Sequence, residues 1–158
     1  MKTNETLNPE ISLAQNGKSF HWASRLLGVR AGRDAARLYS LCRILDDMAD
    51  GDIENGPARL HQIRAGLIAE THAKDPVLSS LIPFVAAQGI AKPVLVALID
   101  GLLEDQQEVA LADEAALLRY SYRVAGTVGL MMCNVLGCKD CAGLAHAVDL
   151  GIAMQLTN

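Results

Sequence analysis

An all-α fold is what this sequence predicts, and three observations carry the prediction. Apolar residues make up 51% of the 158, yet aromatics are only 4% and prolines number five. Ala, Leu, Val and Ile must therefore fill the core, and their abundance with so little Pro points to helices. Apolar residues also recur every three to four positions in segment after segment, the spacing of a helix with one buried face. No run alternates apolar and polar residues as a half-buried strand would, and no internal repeat is present.

Residues 1–10 (MKTNETLNPE) are polar and aperiodic and read as a flexible tail. Residues 11–158 form one all-helical domain. From Ile11 to Leu27, the positions Leu13, Phe20, Ala23 and Leu27 outline a helix interrupted near Gly17, and Gly28 with Val29-Arg30 makes a turn after it. A stronger helix runs from about Gly32 to Asp50, with Ala35, Leu38, Leu41, Cys42 and Leu45 in register. Gly51 stops it, and Asp52 to Pro57 reads as a loop. Pro57 opens a helix to about Glu70, Asp75-Pro76 another to Gln88-Gly89, and Pro93 a third reaching Ala110. Asp113 is a good N-cap for a helix from Glu114 to about Leu136. Gly137 ends that helix, and Lys139 or Asp140 begins the last one, to Asn158. This final helix stops at Met154-Gln155-Leu156-Thr157-Asn158 with no Gly, Pro or basic cap, so the chain is expected to be cut inside or at the end of an element.

Fourteen Lys and Arg against eighteen Asp and Glu leave a formal charge of −4, the wrong sign for a nucleic-acid binder. No apolar stretch reaches the roughly 18 residues that a membrane span needs. Pro76 to Ala91 is broken by Pro83, and Val124 to Cys138 carries Asn134 and glycines, so both read as buried helices. A mean hydropathy of +0.20 without a span points to a greasy cavity or an apolar partner surface. Four cysteines and no secretory leader indicate reduced thiols in a cytoplasmic setting. Cys133, Cys138 and Cys141 have a C-x4-C-x2-C spacing that superficially resembles an iron–sulfur run. The one available fourth ligand, Cys42, lies on a different helix, so core or half-buried thiols are the better reading. The four histidines show no HxxxH or HExxH spacing, which argues against a zinc site.

Chemistry concentrates in two segments. In Cys42-Arg43-Ile44-Leu45-Asp46-Asp47-Met48-Ala49-Asp50, Asp46 and Asp50 are four apart and project from one helix face. Asp47, Asp52 and Glu54 bring the total to five acids within nine residues. Like charges at this spacing cost about 0.2–0.5 kcal/mol, and carboxylates at a helix C-terminus meet the negative end of the macrodipole at a further ~0.3–1 kcal/mol. A bound divalent cation reverses that balance, and hard oxygen ligands suit Mg²⁺, whose remaining positions go to waters and substrate phosphates. Arg43 and Tyr39 continue the same stripe, offering a guanidinium and a phenol to a phosphate-bearing ligand. The plainer alternative is a solvated acidic helix end with a surface Arg43–Asp46 pair worth little.

The second segment is Tyr120-Ser121-Tyr122-Arg123-Val124-Ala125-Gly126-Thr127-Val128-Gly129. Each glycine inside a helix costs about 1 kcal/mol relative to Ala, so Gly126 and Gly129 call for a reason. One is close approach of a neighbouring helix; the other is a smooth wall for a long apolar substrate, with Tyr120, Val124 and Val128 as an adjoining stripe.

Taken together these residues resemble the squalene/phytoene synthase family of head-to-head prenyl synthases. The resemblance is carried by Lys18-Ser19-Phe20, Ala23 to Leu27, Leu38 to Asp50, Leu98-Ile99-Asp100-Gly101 through Asp105, Tyr120 to Gly129, and Leu150 to Asn158, in family order from about residue 16 onward. It implies an isoprenoid-synthase-type helical bundle with a central cavity. It also implies a transferase that condenses two allylic prenyl diphosphates through a cyclopropylcarbinyl diphosphate, in isoprenoid, carotenoid or hopanoid biosynthesis. In that family two aspartate motifs hold Mg²⁺ from opposite walls, and Asp46 and Asp50 match the first. Tyr39 and Arg43 join them as implied catalytic residues. Ser19, Phe20, Tyr120, Val124, Ala125, Val128, Gly129, Gln155 and Asn158 match substrate-side positions. Asp105-Gln106 matches an acidic position facing the cavity, against the alternative of a solvated helix face. NADPH is implied only for a squalene-type product. No side-chain nucleophile is needed: the metal end stabilises a departing diphosphate, and a dry apolar wall shields the carbocation from water.

The family's second aspartate motif lies just beyond the position of Asn158, so the chain is expected to represent the N-terminal part of the domain, truncated at its C-terminal side. Prenyl diphosphates are the expected partners, with peripheral membrane contact where prenyl products partition. Exposed apolar surface on the last helices is expected to drive self-association. The alternative from another class is a catalytically inactive truncated relative that serves as a binding or assembly module.

Overall fold

The computed structural model describes residues 23, 26–71, 75–104 and 113–157. Among them every regular element is helical. Seven helices and one π-helical segment follow in order: α1 Val29–Ala49, α2 Gly56–Ala69, α3 Pro76–Gln88, α4 Lys92–Glu104, α5 Glu114–Ser121, the π segment Tyr122–Gly126, α6 Thr127–Val135 and α7 Cys141–Thr157. The chain divides into two compact units, Met1–Ile44 and Leu45–Asn158, with the division inside α1. The expected tail over 1–10 lies outside the described residues, as does nearly all of the helix expected over 11–27.

Of the first unit, the described part is chiefly the longer portion of α1. Gly28, in the left-handed region at φ 77°, precedes it. The helix starts at Val29 rather than Gly32, because Gly32 N–H already donates to the Gly28 carbonyl at 2.9 Å. Ala35, Ala36, Leu38 and Leu41 are buried, as their spacing predicts, whereas Cys42 is half-buried.

The second unit opens with the last turn of α1, where Leu45, Met48 and Ala49 are buried. Gly51, at φ 80°, turns the chain out of the helix. The Asp52–Asn55 connection then closes tightly: Ile53 N–H donates to the Asp47 carbonyl at 3.3 Å, and Gly56 packs against the main chain of Met48 so closely that a Cβ there would overlap it. Pro57 stands in the first turn of α2, as expected, and Leu60, Ile63 and Leu67 are its buried face. Asp75 caps α3, its carboxylate accepting from Val77 N–H at 2.8 Å and from Arg59 Nε at 3.1 Å. The helix continues through Pro83, which lies on an exposed face.

Packing in this unit is built around α4, which lies against α2, the π segment and α6. Leu95, Leu98, Ile99 and Leu102 form its buried face. Residues 105–112 lie outside the described set, so the expected extension of α4 to Ala110 and the role of Asp105-Gln106 do too. Asp113 caps α5, accepting from Ala116 N–H at 2.7 Å, and Asp140 caps α7 by accepting from Gly143 N–H at 3.1 Å. α7 packs on α5, the π segment and α6, yet no residue of it is fully buried. No described helix is long and apolar enough to cross a membrane.

One local feature departs from expectation. The helix expected to run uniformly from Glu114 to Leu136 widens over Tyr122–Gly126, where Thr127 N–H donates five residues back to the Tyr122 carbonyl. The fully buried Thr127 hydroxyl donates to the Arg123 carbonyl at 2.6 Å, supplying a donor where the α-helical register is lost. Ser121, just before the wide turn, is also fully buried, and its hydroxyl has no hydrogen-bond partner. Such one-turn π segments cluster at functional sites.

Candidate functional site

The acidic end of α1 is placed by helix geometry. In the second unit Asp46 and Asp50 stand one turn apart at the end of α1, whereas Tyr39 and Arg43 lie earlier on that helix, in the first unit. Asp50 lies one residue past the last helical residue, with its N–H still donating to the Asp46 carbonyl at 2.9 Å. Tyr39, Arg43, Asp46 and Asp47 are half-buried, whereas Asp50, Asp52 and Glu54 are exposed. Tyr39, Arg43, Asp46 and Asp47 each already have an interaction partner. Two carboxylates one turn apart fit a hard divalent cation that takes one or two protein oxygens and completes its shell with water and phosphate. Among the described residues no three acidic, histidine or cysteine side chains converge into a closed metal cage.

The glycine-bearing segment explains itself through contacts. A Cβ on Gly129 would overlap the Ala147 carbonyl of α7, and one on Gly151 would meet the Ala125 carbonyl. Gly126 lies against Val148 of α7 and the ring of Tyr122. These glycines therefore permit backbone-to-backbone approach of α7, the plainer of the two readings of their sequence. On the other side, a Cβ on Gly101 of α4 would come within 2.7 Å of Arg123 Cβ and 3.0 Å of Val124 Cγ1. Of the candidate substrate-side residues, Val124 thus packs on α4 and Ala125 and Gly129 on α7, while Tyr120, Val128 and Gln155 are half-buried. Ser19, Phe20 and Asn158 lie outside the described residues.

Ion pairs brace this region, three of them across the helices. Arg64 of α2 pairs with Asp100 of α4, Arg123 with Glu104, and Lys92 with Glu70. The hydrogen bond and charge of Asp100 raise the pKa of Arg64, and Lys92 likewise holds the Glu70 carboxyl below the usual range. Glu70 is exposed and Arg64 only half-buried, so solvent screens these pairs and they direct geometry more than they add stability. Asp100 and Gly101 entered the sequence reading only through the family resemblance. Their structural roles, a partner for Arg64 and a slot for Arg123, were signalled beforehand by one thing, a glycine inside an apolar helix. Nothing in the sequence announced the orphaned Ser121 hydroxyl.

All four cysteines are free thiols: Cys133 is buried, Cys42 and Cys138 half-buried, and Cys141 exposed rather than half-buried or in the core as expected.

The chain matches the squalene/phytoene synthase family over residues 13–158. It is 34% identical to 15-cis-phytoene synthase of Paracoccus sp. (strain N81106 / MBIC 01143), in an alignment covering 93% of this chain and 52% of that protein. It is 35% identical to presqualene diphosphate synthase of Rhodopseudomonas palustris, covering 90% and 52%. With phytoene synthase of Thermus thermophilus the identity is 36%, covering 92% and 50%. The chain thus spans about half the length of the curated relatives it matches. Among solved structures, a dehydrosqualene synthase in complex with ligand superposes with a TM-score of 0.78 at 26% identity, over 98% of this chain and 55% of that one.

Proposed function

The chain belongs to the squalene/phytoene synthase family, and from that premise we propose that it supplies the first aspartate motif and one prenyl-facing wall of a head-to-head prenyltransferase. The substrates on this reading are two allylic prenyl diphosphates, joined through a cyclopropylcarbinyl diphosphate. The observation that carries the reading is the acidic end of α1, two carboxylates one turn apart, with a guanidinium and a phenol earlier on the same helix. Carboxylates crowded at the negative end of a helix cost stability unless a cation meets them.

Asp46 and Asp50 would hold Mg²⁺, which would neutralise charge on a departing diphosphate. Arg43 donates to the same diphosphate oxygens with a planar fork suited to phosphate, and Tyr39 adds a phenolic donor. By family correspondence Tyr120, Val124, Ala125, Val128 and Gly129 border the prenyl-chain slot with Gln155 beside it; Tyr120 and Val128 would offer it their side chains, while Val124, Ala125 and Gly129 back the slot through their packing on the neighbouring helices. Such a slot keeps water from an allylic carbocation. Ser19, Phe20 and Asn158 complete the substrate side by family correspondence.

Two measurements test this. Calorimetric titration of Mg²⁺ with a non-reactive allylic diphosphate analogue should give binding heat that Asp46→Ala weakens by about tenfold or more, since even outer-shell changes at metal sites cost about that much. Identical heats for both proteins would remove the metal site. Incubation with each prenyl diphosphate and Mg²⁺, with and without NADPH, should give a head-to-head product. Recovery of unreacted diphosphate from a protein that still shows the Asp46-dependent heat would instead assign binding without condensation.

A further inference from the structure

Helix α6 ends in a Schellman turn: Gly137 is left-handed at φ 73°, its N–H donates to the Asn134 carbonyl at 3.1 Å, and Cys138 N–H donates to the Cys133 carbonyl at 2.9 Å. In this motif the residues three from the helix end and two past its cap touch across the turn, usually as an apolar pair. The same turn closes α3. There Gly89 is left-handed at φ 66°, Ile90 N–H donates to the Val85 carbonyl at 3.0 Å, and Val85 and Ile90 are both buried. At the end of α6 those two places hold thiols.

Both sulfurs converge on one glycine at the start of α7. Cys133 Sγ donates to the Gly143 carbonyl at 3.9 Å, and Cys138 Sγ lies 2.6 Å from where a Cβ on Gly143 would stand. A disulfide needs Cα atoms roughly 4.4–6.8 Å apart, and the main-chain hydrogen bond from Cys138 to Cys133 holds the two residues against each other across the turn. Burial raises the Cys133 thiol pKa, and the neighbouring Cys138 thiol raises it further. Cys133 is only 8% exposed, whereas Cys138 is half-buried and open to small oxidants.

We infer that Cys133 and Cys138 form a dithiol site, oxidised by hydrogen peroxide to a disulfide across the α6–α7 junction. In the first step the Cys138 sulfur takes one oxygen from hydrogen peroxide, giving a sulfenic acid and one water. In the second the Cys133 sulfur attacks Cys138 Sγ, the S–O bond breaks, and the Cys133 proton leaves with the departing hydroxide as a second water. Two thiols and one peroxide thus become one S–S bond and two waters. The site stands apart from the prenyl-diphosphate reading and survives its failure.

Trypsin cleavage after Arg123 and Lys139 places Cys133 and Cys138 together in peptide 124–139 and Cys141 in the peptide that follows. The full chain is treated with hydrogen peroxide, its remaining thiols are alkylated in denaturant, and the digest is weighed. The expected result is a peptide 124–139 lighter by two hydrogens and free of alkyl groups, restored to double alkylation by prior reduction. Cys141→Ser and Cys42→Ser should leave this unchanged, and Cys138→Ser should abolish it. Peptide 124–139 cross-linked to the Cys141 peptide, or doubly alkylated after peroxide, overturns the assignment.

Discussion

Gly129 and Gly137 are both glycines that end or interrupt the same stretch of helix, and they are there for opposite reasons. Gly129 has ordinary helical backbone, but its missing side chain is filled by the Ala147 carbonyl. Gly137 has open space around it, but its φ of 73° is one that a side chain resists. Gly129→Ala should therefore destabilise by about 1–3 kcal/mol through overpacking against rigid backbone. Gly137→Ala should cost about 1 kcal/mol through backbone strain alone. Urea unfolding checks both: the midpoint falls further for Gly129→Ala, and an unchanged slope confirms that the folded state kept its compactness. Equal midpoints would mean that α7 yields to the added methyl.

At the scale of elements, single side chains decide where helices begin. Asp75 holds the first turn of α3 with one carboxylate oxygen on Val77 N–H and ties the other to Arg59 of α2. Asp75→Ala should cost about 1 kcal/mol from the lost cap, whereas Asp75→Asn keeps the cap and gives up only the charged pair. Faster amide exchange at Val77 in the Ala variant, with little change in the Asn variant, is the expected pattern. These boundaries were legible in the sequence because they are local. Asp113 caps as expected, Asp75 caps the helix expected to open there, Asp140 is the one of two expected starts that caps the last helix, and Gly51, Gly89 and Gly137 all turn left-handed where a stop was expected. The π segment was not legible. An α-helix and a single wide turn differ by one residue in hydrogen-bond register, which leaves the apolar period almost untouched. What selects it here is contact from two sides, with α4 against Arg123 and Val124 and α7 against Ala125 and Gly126.

At the scale of the molecule, α7 is the element whose outer side lacks a partner among the described residues. Leu150, Met154 and Leu156 are 62%, 48% and 49% exposed, and the first two stand one turn apart. We expect the 158-residue chain to associate through this stripe, giving a concentration-dependent mass in sizing chromatography that Leu150→Lys with Met154→Lys reduces to that of a monomer. A monodisperse monomer of the unsubstituted chain would rule it out. The candidate site was only partly legible at this scale. Its two acids could be paired from spacing alone, because Asp50 follows Asp46 by one helical turn at the end of α1. Which carbonyl fills Gly129, and that Gly101 receives Arg123, depends on contacts between segments far apart in sequence, and no spacing rule reports those.

The carbonyls lodged in Gly129 and Gly151 make α6, the π segment and α7 a single stiff plate. Sliding one helix past the other by even a fraction of a turn would drive a peptide oxygen into a neighbouring backbone. A long, greasy guest lying against this plate would find a surface that does not breathe, so any widening needed to admit or release it must come from the walls that face it.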